Sequence, residues 1–465
     1  MYDDIRDTLD PGVAEHILDH ISNNIDQGLS SWEIFHAYRT VGTDDVFMIS
    51  PGLCMLPSEI YEGEWWNEGG EYHQAIVKLI AEFMWMRAQL QGKDKFVMLM
   101  DSEGYTQRDM KIWSDVFYEI SMSHLANFGA EKPRSSHFIM IFAGAAHHLN
   151  YEYAKKHKED YELMEGMTII LSNNLEENIA THYQGLDDEK KKEIQKINSK
   201  PKIKPWKFLF YNNHPKLNRV YFVGQIIRRN LHDQGLMSLR LDEGQFDSII
   251  TYHANPASPG YTTINEEYFP ESGKWIFQAL LDNRPIVENL KPLGFKNHSD
   301  VDVDHKHGNE GNEKLHFASS MQHHVQQCYF AIITETKYFH DRSVIRDGRK
   351  IVTTLDTNFL DSITFTEKTF KFLIAKIPFI LCGMPNSLKV LRDMGYKTFS
   401  PYINEAYDLL EDDESRAIAI ADEIERLCNM SDEWWVETQK ALIPRMEHNF
   451  KMVSSITHRN YRFYL

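Results

Sequence analysis

Four short clusters in this 465-residue chain combine residue types that could act on an anionic ligand. The first is Thr366-Glu367-Lys368, which stands where an apolar helical pattern begins. A helix start attracts anions through its unpaired N–H groups, and a lysine there adds a point charge. Glu367 beside it can accept hydrogen bonds from sugar hydroxyls, although Glu and Lys are also common at solvated helix starts. The second is YNNHPKLNR at 211–219, where a strand runs through Asn213 and Pro215 into a helix start carrying Lys216 and Arg219. Two cationic helix starts suit one diphosphate; a surface ion pair at Arg219 is the competing reading. The third is Thr334-Glu335-Thr336, at the end of the apolar run YFAII. A carboxylate at the carboxyl end of a strand either caps a neighbouring loop or touches ligand, and Glu335 suits ribose hydroxyl or base amide donors. The fourth is Asp101-Ser102-Glu103, which ends the strand-like run KFVMLM. Either carboxylate could take a proton from an attacking hydroxyl, or could cap the helix that follows.

These clusters need strands and helices to carry them. Thr366 caps a helix whose inward residues are Phe370, Leu373 and Ile374, and Pro378 ends it. The apolar run PFILC is strand-length, Gly383-Met384-Pro385-Asn386 turns the chain, and a helix with Leu388, Leu391 and Met394 ends at Gly395. Upstream, KFLFYNN at 207–213, a helix over 219–231, a short strand MSLRL and the run CYFAIITET at 328–336 repeat the same grammar. The N-terminal part alternates too, with strands at 44–50, 95–100, 137–144 and 167–172 separated by helices. This alternation predicts an α/β fold with parallel sheets. Charged, apolar-poor residues at 184–205, closed by two prolines, read as a solvated helix and linker. The expected division is therefore an N-terminal α/β domain over 1–200, a C-terminal one over 201–440, and a last helical segment, 441–465, packing back on the first. In such sheets the ligand lies outside the carboxyl ends of the strands, here in a crevice between the two domains.

Composition narrows the class. A hydrophobic content of 42% with 25% charged residues is that of a globular protein, and the length exceeds one ordinary core. The net charge of −18 argues against a protein that coats nucleic acid. Four scattered cysteines without paired spacing predict a reducing compartment, and the polar start and lack of an 18-residue apolar run predict no leader and no membrane span. A cytoplasmic location is expected. No P-loop, GxGxxG or GxSxG occurs, which weakens kinase, dehydrogenase and hydrolase readings. The loop residues His298, Asp300, Asp302, Asp304, His305 and His307 are of metal-ligand type but match no calcium loop, so no metal site is assigned. Trp65-Trp66 and Trp434-Trp435 could stack on sugars or fill a core, and His147-His148 follow a strand end.

The stretch TEKTFKFLIAKIPFILCGMPNSLKVLRDMGYKTF, together with YNNHPKLNR and IITET, resembles the C-terminal signature of glycosyltransferases from large DNA viruses and tailed phages. The TEK element is more distantly similar to the donor-binding part of α-1,3-fucosyltransferases and exostosin-type enzymes. Phe372 stands where a proline is often found. The resemblance covers roughly residues 207–407; the N-terminal half matches only in its grammar. It implies the GT-B fold, two facing Rossmann-like domains with the nucleotide held by the C-terminal one. Lys368 and Arg219 would then hold the diphosphate, with Lys216, Asn213, Thr334, Glu335 and Thr366 around the donor and Glu367 on its ribose. Asp101 or Glu103 would be the base for the acceptor hydroxyl. The implied reaction is transfer of a sugar from a nucleotide-diphosphate sugar to an acceptor hydroxyl. It would need no cofactor or divalent metal and would proceed with inversion, in the host cytoplasm if the protein is viral. The acceptor would be a glycan or a modified nucleic-acid base. A DNA-modifying glycosyltransferase, a nucleotide-sugar epimerase or hydrolase, and a non-catalytic nucleotide-sugar-binding protein remain open alternatives.

Overall fold

The computed structural model describes residues 71–90, 183–212, 217–239, 271–290, 323–335 and 365–456 as runs, together with the strands named below and isolated residues near 12–19, 115–120, 179–180, 246, 338 and 363. The chain divides into two compact units, one of Met1–Asn174 with His458–Leu465 and one of Leu175–Thr457.

The first unit holds β1 (Val46–Ile49), α1 (Glu71–Leu90), β2 (Lys95–Asp101), β3 (Phe138–Ala143) and β4 (Thr168–Ser172). These four strands lie side by side in sequence order and pair in parallel. Their order does not reverse among the described strands. Helix α1 buries Ala75, Ile76, Leu79, Ile80 and Met84 at helical spacing, and Trp85 near its end stacks on Phe96 at the start of β2.

The second unit contains α2 (Asp188–Lys196), β5 (Trp206–Phe210), α3 (Leu217–Arg228), β6 (Gly235–Met237), α4 (Gly273–Asp282), α5 (Arg284–Glu288), β7 (Cys328–Thr334), a hairpin of β8 (Arg342–Arg346) and β9 (Arg349–Thr353), α6 (Glu367–Ile374), β10 (Phe379–Cys382), α7 (Ser387–Asp393), α8 (Asp413–Cys428) and α9 (Asp432–Ser454). Its sheet has four strands in the order β10-β7-β5-β6, all parallel. Every residue of β7 and β10 is buried, as expected of strands covered on both faces.

The winding follows from the order of the strands. From β5 the chain crosses through α3 to β6 on one side; later it crosses from β7 through α6 to β10 on the other. Right-handed crossovers in opposite directions put the two helices on opposite faces. Accordingly α3 packs with α4 and α8, and α6 packs with α9. The α3–α4 contact is close enough that a Cβ at Gly224 would collide with Ile276. The result is a doubly wound, Rossmann-like α/β unit.

Two sequence expectations about boundaries change. The stretch 184–205 holds the expected, largely exposed helix, α2, but it is no linker between units; it belongs to the second unit. Ile194, Ile197, Asn198 and Lys204 are all buried. Asn198 Nδ2 donates to Lys376 O at 2.9 Å, and the Gln439 side chain clasps the Lys202 backbone through bonds of 3.2 and 2.9 Å. The high lysine count concealed these anchors, because a few buried polar contacts can hold a segment whose remaining side chains face water. The chain's return to the first unit is also made differently. Helix α9 ends at Ser454 within the second unit, and it is β11 (Tyr461–Tyr464) that joins the first sheet, antiparallel to β4.

Smaller local expectations hold or shift by a few residues. Thr366 caps α6 through its hydroxyl, and Gly395 has φ +97°, the left-handed region that favours glycine after a helix. The short strand expected at MSLRL is instead Gly235–Met237.

Candidate functional site

The strand order of the second sheet reverses between β5 and β7, so chain leaves their carboxyl ends toward opposite faces. Open α/β sheets bind ligands at such a switch point. What the chain places there can be read from the strand ends outward.

Beyond β5 come Tyr211 and Asn212; beyond β6 comes Ser238; β7 ends at Thr334 and continues into Glu335. A ladder of side chains ties these ends together. Asn212 N donates to Ser238 Oγ at 3.2 Å, and Thr334 Oγ1 donates to Asn212 Oδ1 at 3.0 Å. Asn218, in the first turn of α3, donates from Nδ2 to Glu335 O at 3.0 Å. Asn212, Asn218, Thr334 and Glu335 are all buried.

Glu335 then links β7 to the start of α6. Its Oε2 accepts from Thr366 N at 3.1 Å and from Thr366 Oγ1 at 2.5 Å, and its Oε1 accepts from Thr369 Oγ1 at 2.5 Å. Of its two readings from sequence, the geometry exhibits the capping one: a buried carboxylate closing a helix start. Thr366 is itself buried, and its hydroxyl accepts from Lys368 N at 3.4 Å and Lys368 Nζ at 3.0 Å. The half-buried Lys368 is thus folded back over the helix start. Glu367 is the first residue of α6.

Arg219 is buried in the first turn of α3, next to Asn218. Arg219 and Lys368 therefore follow residues that share Glu335 as a partner. Three of the four sequence clusters, represented by Arg219, by Thr334 with Glu335, and by Thr366-Glu367-Lys368, converge on the β5/β7 switch point. Asn213, Lys216 and Thr336 lie outside the described residues. The fourth cluster belongs to the first unit: Asp101 is the last residue of β2, paired in register with Ala143 of β3, while Ser102 and Glu103 lie outside the described residues. So do Trp65, Trp66, His147, His148 and the loop 298–307. Trp435 is core: it is fully buried and stacks on Tyr329 and Phe330 of β7.

No protein-family model, curated protein or solved structure matches this chain. The chemistry of the site therefore has to be read from its own groups.

Sequence reading overlooked several of those groups. Asn212 was hidden by its neighbour Asn213, although being the first amide after the run KFLFY was the available signal. Asn218 and Thr369 left no signal beyond standing in first helical turns. A pair formed by Tyr211 and His324 was also missed: the Tyr211 hydroxyl lies 2.5 Å from His324 Nδ1, and the ring of Tyr211 stacks on Phe372 of α6. Burial pushes the Tyr211 phenol well above its ordinary range. Burial, helped by neighbouring His323, pushes His324 down. Both shifts favour the neutral pair, with Tyr211 donating to the imidazole.

Buried carboxylates elsewhere in the unit close helix starts in the same way. Glu414 accepts from Ser272 N at 2.6 Å ahead of α4, and Asp408 accepts from Leu388 N at 3.0 Å and Lys389 N at 3.1 Å in α7. The α6 start differs in carrying a half-buried lysine over its capping threonine. Among the described residues, no group of three or more His, Cys, Asp or Glu could hold a metal ion, and no described helix is long and apolar enough to cross a membrane. Cys328, Cys382 and Cys428 are buried free thiols, and burial raises the pKa of all three, Cys328 and Cys428 to about 12. They are structural rather than reactive.

Proposed function

We propose that the protein is a glycosyltransferase that takes its sugar from a nucleotide-diphosphate donor held at the β5/β7 switch point. One observation carries the reading: Arg219 and Lys368, each in the first turn of a helix, flank strand ends joined by Asn212, Thr334 and Glu335. Two cations at helix starts complement a diphosphate and stabilise its charge as it leaves, with no metal required by this arrangement. The acidic Glu367 in the same turn suits a ligand that has hydroxyls as well as phosphate, which a bare anion does not. The TEKTFK…PFI…GYKTF resemblance points to the same donor class.

In this reading the two units are the facing domains of a GT-B enzyme. Asp101, at the carboxyl end of β2, or Glu103 just beyond it accepts the proton of the attacking hydroxyl. The acceptor oxygen bonds to the anomeric carbon as the bond to the diphosphate breaks, and the diphosphate departs with the electron pair. Inversion at that carbon, by direct displacement, is part of the proposal.

The test is a panel of UDP-, GDP-, ADP- and CMP-linked sugars. Stabilisation against thermal unfolding is measured first, and release of free nucleotide with and without candidate acceptors second. At least one diphosphate donor should raise the melting temperature, and Lys368→Ala should remove that rise. If no nucleotide stabilises the protein, the proposal fails. Release of free sugar without an acceptor would make it a hydrolase.

A further inference from the structure

We propose that Asn212 is a ligand-binding residue, its carboxamide nitrogen donating to a phosphoryl oxygen bound over the β5/β7 switch point. The inference rests on the nucleotide-diphosphate reading and adds to it the floor of the site.

Asn212 follows the last buried residues of β5 by two positions and is 4% exposed. Its backbone is fixed on the β6 side: its N–H donates to Ser238 Oγ at 3.2 Å, and the same hydroxyl donates to Asn212 O at 3.4 Å. Its side-chain oxygen is fixed on the β7 side by the Thr334 hydroxyl at 3.0 Å. Thr334 makes no other side-chain hydrogen bond among the described residues, and it is the amide oxygen of Asn212 that faces its hydroxyl. The other end, Nδ2, is buried and has no hydrogen-bond partner. Native folds keep few such groups, and one at a switch point is explained by a ligand that supplies the missing acceptor.

The chemical class follows from what the neighbours offer. The acceptor end of Asn212 is already used by Thr334. Lys368 Nζ has no acceptor capacity, and neither does the Arg219 guanidinium. The Glu335 carboxylate, one residue beyond β7, is engaged with Thr366 and Thr369. A ligand group meeting this floor encounters donors. Phosphoryl oxygens accept without needing to donate, which matches Asn212 Nδ2 beside Lys368 and Arg219, while Glu367 is left for the hydroxyls of the donor. The Asn212 nitrogen therefore fits the diphosphate and not the sugar.

The experiment is calorimetric titration of inorganic pyrophosphate, UDP, GDP and ADP into the full chain, for the natural protein and two variants. Asn212→Asp keeps the size and the oxygen that Thr334 uses but replaces the donor with a second carboxylate oxygen. It should weaken pyrophosphate and nucleoside diphosphate binding about 100-fold at pH 8. The factor should shrink at pH 5, where the introduced carboxyl can take a proton and donate again, an effect that a purely structural role would not produce. Asn212→Ala removes the unpartnered nitrogen together with the oxygen that Thr334 uses, so its urea midpoint should fall modestly while it binds about 10-fold more weakly; it serves if the aspartate variant does not fold. If the natural protein binds these ligands and both variants bind them equally well, the role of Asn212 is wrong and the donor proposal stands. If the natural protein binds none of them, both fall.

Discussion

Replacing Glu335 separates scaffolding from ligand recognition. Its carboxylate holds one backbone N–H and two hydroxyls at the start of α6, from Thr366 and Thr369, and all three residues are at most 1% exposed. In Glu335→Ala the hydroxyls can rotate toward other acceptors, but the Thr366 N–H cannot. An orphaned buried donor costs about 1–3 kcal/mol, and losing the charge-assisted bonds from the hydroxyls adds about 1–2 kcal/mol, so the total is about 2–5 kcal/mol. Glu335→Gln retains one oxygen for Thr366 and turns its amide nitrogen to the Thr369 hydroxyl, which can accept; about 1 kcal/mol should be lost. Urea unfolding followed by tryptophan fluorescence is the assay, because Trp435 is fully buried against β7 and reports on this unit. A loss below about 1 kcal/mol in Glu335→Ala, accompanied by loss of nucleotide binding, would refute the capping role and return Glu335 to the ligand contacts suggested by its sequence position.

Further outcomes follow from other residues. Lys368→Met should change the urea midpoint little, because its ammonium lies over the Thr366 hydroxyl at 3.0 Å in a half-buried position, yet nucleotide affinity should fall about 10- to 100-fold by calorimetry. Asp101→Asn and Glu103→Gln should both keep donor binding while one of them loses transfer; full rates in both would remove these carboxylates as the base. Burial pushes buried Lys204 down to about 7, against its three oxygen acceptors on Asn198, Val325 and Cys328. The unfolded chain then binds the extra proton between about pH 7 and the ordinary lysine range, so stability should rise with pH across that window. Relative to Lys204→Met, the gain from pH 7.5 to 9.5 should be about 2 kcal/mol by urea unfolding, and a flat difference would mean that the acceptors keep Lys204 charged.

The second unit was readable where local and global signals agreed. The runs at β5, β7 and β10 are apolar because both sheet faces are covered, and Thr366 and Gly395 announced the ends of their helices. Strand order was not readable, since the reversal between β5 and β7 depends on which strands pair rather than on any local pattern. The switch point therefore could not be located before the sheet was known, although Thr334, Glu335 and Arg219 had been singled out as strand-end and helix-start residues. Lys204 and Asn198 failed for a different reason. Burial with hydrogen bonds to backbone oxygens leaves no trace in composition, and a lysine-rich segment looks solvated whichever of its lysines turns inward. Asn212 and Asn213 are identical in type, and only the strand end distinguishes them.

The most direct test of the account is a crystal structure of the protein with a bound nucleoside diphosphate. The account places the two phosphates between the starts of α3 and α6, within hydrogen-bonding distance of Asn212 Nδ2 and Lys368 Nζ. A nucleotide bound away from the β5/β7 strand ends, or diphosphate oxygens that contact neither group, would contradict it.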